Sequence, residues 1–181
     1  MFITSDHIRK YRQVARNITE ERVEIYIREA MSFDLLPVVG AALMQKFNAL
    51  DAEALDNSTL DNSSAELGLT PEEYIYLMGG VWTDAQGGEH RQNGIRQAAC
   101  YFAYARFVRN HATQTTPFGI VVKEGEESHP ATQQMIAAVS RDAQVIGEQI
   151  LRDATDYWRH VLSDSKTQPR RRQHRFVAIG D

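Results

Sequence analysis

The side chains from which this sequence could build chemistry are one cysteine, six histidines and several clusters of carboxylates. Cys100 would need a neighbouring base and electropositive surroundings to act as a thiolate nucleophile. It stands between Ala99 and Tyr101 on the most apolar helical pattern of the chain, where a cysteine behaves as a small hydrophobe, so burial is expected. His7, His90, His111, His129, His160 and His174 lack the four-residue spacing that sets two imidazoles on one helical face for a metal ion. The Asp, Asn and Ser residues of 51–66 supply oxygen ligands without the glycine and bidentate glutamate of a calcium loop. Glu124, Glu126 and Glu127 are adjacent carboxylates with no second convergent acid, and the glycine pairs at 79–80 and 87–88 lack the lysine of a phosphate-binding loop. No catalytic residue, cofactor or metal is therefore expected, and a small helical enzyme is the least favoured class.

What remains is charge. The chain of 181 residues carries a net charge of -4, but its distribution is uneven. From Lys166 onward five basic residues meet one acid, giving a tail of +4 on a body of -8. Residues 51–90 hold nine acids and neither Lys nor Arg, a stretch that repels polyanions. Within the tail, Arg170, Arg171, Arg172 and Arg175 precede Phe176, Val177, Ala178 and Ile179, an alternating apolar segment of the kind that adds to another protein's surface or sheet edge. Docking on an acidic protein ranks ahead of nucleic-acid backbone binding, and both rank ahead of a passive solubilising tail.

The elements that position these groups read as helices. Thr4 or Ser5 caps a short helix through Tyr11, and Asn17 with Glu20 opens a second, on which Val23, Ile27, Ala30 and Met31 share a face. Pro37 either kinks the path or starts a further helix reaching Leu50. Residues 51–69 read as a solvated loop. Thr70, Pro71 and Glu73 form the signature of a capping box, Gly79-Gly80 ends that helix, and 79–93 is a turn-rich excursion, either a small hairpin or an irregular loop. Asn93 introduces a helix, apolar nearly all round, that must lie at the centre of the core. Residues 116–127 read as an extended arm carrying Phe118, Ile120, Val121 and Val122. Ser128 or His129, with Pro130, opens the longest helix, from about Ala131 to Leu162, a rod of about 48 Å.

The expected architecture is a mainly α helical bundle over 1–165, with one long C-terminal helix and a short extended arm, followed by a basic extended tail over 166–181. No apolar run approaches the length needed to cross a bilayer, and the opening MFITSDHIRK has neither the basic leader nor the apolar stretch of a secretory signal.

The order of FITSDHIRKY, AMSFDLLPVVGAALMQKF, GIRQAACYFAYARFVRN, TTPFGIVVKEGEES and a long helix ending DATDYWRHVL resembles the head–tail connector (adaptor) proteins of tailed bacteriophages, in the versions found in phages and prophages of Bacteroides-type bacteria. The resemblance spans about Phe2 to Leu162 and leaves 51–69 and the tail uncovered. It implies a non-enzymatic virion subunit, present in the host cytoplasm before assembly. Such subunits form a homo-oligomeric ring of about twelve copies under the portal protein and extend the DNA channel. They also present a surface to further connector or tail proteins. By the same analogy the 116–127 arm bridges subunits, and Arg170, Arg171, Arg172 and Arg175 dock on the portal with Phe176, Val177 and Ile179 as anchors. Genomic DNA would pass without sequence-specific binding through an acid-lined channel. The alternative is a helical nucleic-acid-binding regulator that uses the basic arm.

Overall fold

The chain enters its own core at once: Phe2 and Ile3 are fully buried, and the N-terminal ammonium donates to the Leu50 carbonyl at 3.2 Å. The computed structural model describes residues 1–14, 18–59, 66–84, 86–111, 113–116, 119–122 and 132–167, with 111, 113–116, 119–122 and 164–167 described by backbone alone. Helix α1 (Ser5–Tyr11) follows Thr4, and α2 (Glu20–Glu29) follows Thr19. The expected cap Asn17 lies outside the described residues.

Helix α2 runs directly into a π-helical segment, Ala30–Leu35, and then into the single turn α3 (Leu36–Val39). Pro37 explains the widening. It has no N–H for the carbonyl four residues back and its ring crowds that carbonyl, so the preceding turn opens and the Leu36 N–H donates to the Met31 carbonyl five residues back. Gly40, at φ 85°, separates α3 from α4 (Ala41–Asn48), so the single helix expected to reach Leu50 is two.

Within the expected loop 51–69, Asp51 accepts from the Ala54 N–H and starts α5 (Ala52–Asp56), which buries Ala52 and Leu55. This corrects the solvated reading at those residues; polar composition concealed two apolar anchors. The Thr70–Glu73 capping box opens α6 (Pro71–Met78) as expected. The excursion at 79–93 is a hairpin, β1 (Gly80–Thr83) antiparallel to β2 (Glu89–Gln92), with Val81 opposite Arg91 and Trp82 opposite His90.

Helix α7 (Gly94–His111) lies at the centre. It meets α1, α2, the π-helical segment, α6 and the long C-terminal helix α8 (Gln133–Thr167), which accounts for apolar residues on nearly all its sides. Ile95, Ala98, Ala99, Ala103 and Cys100 are buried there. Between α7 and α8, β3 (Thr113–Thr116) pairs antiparallel with β4 (Gly119–Val122), so what the sequence presents as an extended arm is, over these residues, a hairpin. Thr132 caps α8, its hydroxyl accepting from the Met135 N–H. Ser128, His129 and Pro130 lie outside the described residues. Helix α8 continues through Thr167, so Lys166, expected in the tail, is helical.

Candidate assembly surface

Two polar constellations hold the bundle in register. In the first, α7 presents Arg96, whose Nε donates to the Phe2 carbonyl at 2.9 Å while Nη1 stands 2.7 Å from the Asp56 carboxylate. Asp56 also receives His7 Nε2 at 2.9 Å and Lys10 Nζ at 3.2 Å. The Thr4 backbone N–H donates to His7 Nδ1, so the neutral imidazole carries its hydrogen on Nε2 and donates it to Asp56. Burial raises the Asp56 pKa, but hydrogen bonds from His7, Arg96 and Lys10 outweigh it and bring the group down to about 2. Burial and then the Arg96 charge lower the His7 pKa. Three distant parts of the chain, the N-terminus, α5 and α7, are thereby tied together around the buried Arg96 and His7, with Asp56 partly exposed.

The second constellation sits on the π-helical segment. Arg106 of α7 grips Asp34 with two parallel bonds, Nε at 2.9 Å and Nη2 at 3.0 Å, and its Nη1 lies 3.5 Å from Glu29. The same guanidinium lies 5.5 Å from the Phe33 ring centroid. Beside it, Phe102, Ala105, Arg109, Ser140 and Gln144 help line a small cleft of about 130 Å³ between the segment, α7 and α8.

Pinned in this way, the segment presents apolar side chains outward. Phe33 is 67% exposed, Leu36 39% and Val38 46%, and Pro37, Ala41 and Ala42 lie in the same exposed stretch. The most apolar run of the sequence, Val38 to Met44, is therefore largely a surface, with Val39 and Met44 alone of its members buried. That surface was not foreseen. Apolar side chains are most often buried, so composition alone does not mark this run as surface.

At the opposite end of α8, Trp82 of β1 stacks on His90 at 4.6 Å and meets His160 at 4.7 Å and Tyr157 at 5.8 Å. His90 pairs with Asp84 at 2.7 Å, a hydrogen bond that lowers the aspartate pKa. This cluster fastens the hairpin to α8.

Of the expected contact residues, Ile120, Val121 and Val122 belong to β4, opposite Thr115, Gln114 and Thr113. Phe118, Arg170, Arg171, Arg172, Arg175, Phe176, Val177 and Ile179 lie outside the described residues. Cys100 is 1% exposed and burial pushes its thiol up to about 12, so it is no thiolate at neutral pH. Among the described residues no group of three His, Cys, Asp or Glu is placed to hold a metal ion, and no helix is long and apolar enough to cross a membrane.

Residues 35–168 match a protein family of unknown function, DUF6712. The chain belongs to that family. The DUF6712 match begins at Leu35, the last residue of the π-helical segment, and takes in α3 to α8, so the exposed Leu36–Ala42 surface lies inside the family region while α1, α2 and the N-terminal anchor precede it. No curated protein and no solved structure matches the chain.

Proposed function

We propose that this DUF6712 chain is a structural assembly subunit of the head–tail connector type, forming a ring of about twelve copies beneath the portal of a tailed phage. The subunit extends the DNA channel and presents a surface to further connector or tail proteins. The observation that carries this reading is the exposed apolar group Phe33, Leu36 and Val38, next to Asp34, which the Arg106 fork ties to α7. Exposed apolar residues grouped in this way mark contact with another protein.

A ring needs two different surfaces on each subunit, one giving and one receiving. The β3–β4 hairpin begins seven residues after Arg106, and in this reading it supplies the second surface. In this reading Phe118, Ile120, Val121 and Val122 serve the inter-subunit arm. Arg170, Arg171, Arg172 and Arg175 dock on the portal, with Phe176, Val177 and Ile179 as anchors. The acidic body suits a channel that passes DNA without retaining it. The role is non-enzymatic, and its place is the virion, after synthesis in the host cytoplasm.

Electron microscopy of the purified protein with and without portal tests the reading. A ring of about twelve subunits on the portal is the expected result, and a lone monomer in both samples overturns it. Removing residues 166–181 is expected to abolish portal binding with helical content intact; retained binding would overturn the docking role of the tail.

A further inference from the structure

The cleft beside the Arg106 fork holds an arginine without an acid. Arg106 itself is committed to Asp34 and Glu29, the Ser140 hydroxyl donates to the Ala105 carbonyl at 2.9 Å, and the Gln144 amide donates to Glu148 at 3.0 Å. Arg109, on the wall of the cleft, is exposed and has no ion pair among the described residues. Arg141 stands three residues before Gln144, on the same flank of α8, and is likewise exposed with no ion pair among the described residues. Such a cleft accepts an anion of limited size. Asp34, Glu29 and Glu148 border it and repel a run of phosphates, whereas a single carboxylate fits beside Arg109 in a space of about 130 Å³.

The chain carries such carboxylates at its other end. The Tyr74 hydroxyl of α6 donates to the Ser58 carbonyl just past α5 at 3.1 Å, which joins these two helices. Arg96, near the start of α7, donates to the Ala52 carbonyl of α5 at 3.2 Å, and Tyr157 of α8 donates to the Glu72 carbonyl of α6 at 3.2 Å. Of the acids held there, Asp56 is neutralised by Arg96 and Lys10, and Glu73 pairs with Lys46. Glu53 and Glu72 are exposed and have no ion pair among the described residues. Arg109 lies 13 residues beyond Arg96, about 20 Å along α7, and Tyr157 lies 17 residues beyond Ser140, about 25 Å along α8. Since Ser140 meets Ala105, the two helices run antiparallel and both distances separate the same two ends. The unpaired arginines and the unpaired acids of one molecule are therefore held apart.

We propose that the cleft receives a second copy of this chain, Arg109 and Arg141 of one copy taking up Glu53 and Glu72 of the next. Because the two surfaces differ, the contact is head-to-tail and repeats from copy to copy, closing a ring or extending a filament. The Phe33 ring, 5.5 Å from the Arg106 guanidinium, borders the same contact. The inference rests on the ring reading and deepens it by naming a charged pair of surfaces through which neighbouring subunits meet.

Charge reversal in the full, isolated chain tests it, with association read by sedimentation at low salt. The native chain should self-associate, and about 1 M salt should weaken this at least about tenfold. R109E alone and the double variant E53R/E72R alone should each lose at least about tenfold, because each sets like charges against one another. An equimolar mixture of the two should recover association, since each reversed surface then meets the other reversed surface and each native surface a native one. None of these changes removes an internal ion pair of the described residues, so melts should match the native chain. If a reversed variant melts early, R109Q and E53Q/E72Q replace the pair, and their mixture should stop at dimers. A native chain that stays monomeric at low salt, variants that associate as the native chain does, or a mixture that recovers nothing would each overturn the proposal. Rings formed on the portal by R109E as readily as by the native chain would also remove this contact while leaving the ring reading in place. Charge-paired association without any ring on the portal would uphold the contact and remove the ring reading instead.

Discussion

Arg96 stands 2.7 Å from Asp56 across 40 residues of chain, and the same guanidinium holds the carbonyls of Phe2 and Ala52. One side chain therefore closes the N-terminal segment onto α5 and α7. Replacing Arg96 by methionine keeps much of the stem and leaves His7 and Lys10 on the partly exposed Asp56, but the buried carbonyls of Phe2 and Ala52 lose their donor. Leaving such buried acceptors unsatisfied costs about 1–3 kcal/mol. The urea midpoint of R96M should fall accordingly, and R96K should recover only part, because a single ammonium cannot reach all three acceptors.

The same cluster makes the fold sensitive to acid in two separate windows. His7 has a folded pKa below its ordinary 6.5, so the unfolded chain takes up its proton first. Its contribution is complete above 6.5 and declines as pH falls through that value toward the lower folded one. Asp56, about 2 when folded against 3.8, contributes fully above 3.8 and loses that contribution between 3.8 and about 2. Urea midpoints measured from about pH 7.5 to about pH 5 should decline in the native protein. In His7→Gln the protein should be weaker at the upper end yet flatter across this window. An equal slope in both would show that His7 is not the titrating group.

Much of this fold is legible in the sequence because its helix boundaries carry strong local signals. Thr70, Pro71 and Glu73 specify the start of α6, and the apolar wrapping from Ile95 to Phe107 places α7 at the centre. The polar pins are illegible for a physical reason. Arg96, Asp56 and His7 are ordinary charged residues at ordinary spacings, and only tertiary contact over 40 to 89 residues gives them a role. The apolar corner is misleading in the opposite sense: hydropathy marks Val38 to Met44 for burial, whereas Pro37 and Gly40 break the helix into short pieces that cannot turn all of it inward. The Asp34–Arg106 fork, which joins residues 72 apart, holds that corner in place without any sequence signature.

Gly94 and Gly40 separate steric contact from backbone preference. Both have positive φ, 78° and 85°, where a Cβ is disfavoured. At Gly94 an added Cβ would lie 2.5 Å from the Gly79 nitrogen and 2.5 Å from the Leu77 carbonyl oxygen, backbone atoms that cannot yield cheaply. At Gly40 it would meet nothing within 4 Å. Gly40→Ala should cost about 1–3 kcal/mol, the backbone term alone, and Gly94→Ala distinctly more. Thermal melts of the two variants check this; equal losses would mean that the junction between β2 and α7 relaxes around the new methyl.

Val38→Asp tests the apolar face without disturbing the core. Val38 is 46% exposed, and substitution at such a site usually changes stability by no more than about 0.5 kcal/mol. A carboxylate in the middle of a contact surface, by contrast, must be desolvated without a partner when another protein covers it. V38D should therefore melt within a few degrees of the native chain while failing to form rings on the portal, as read by electron microscopy and sedimentation. Asp34→Ala, which removes the fork from Arg106 and leaves Glu29 at 3.5 Å as its remaining partner, should weaken both the melt and the assembly, because it loosens the segment that presents the face. Rings formed by V38D as readily as by the native chain would show that assembly uses another surface.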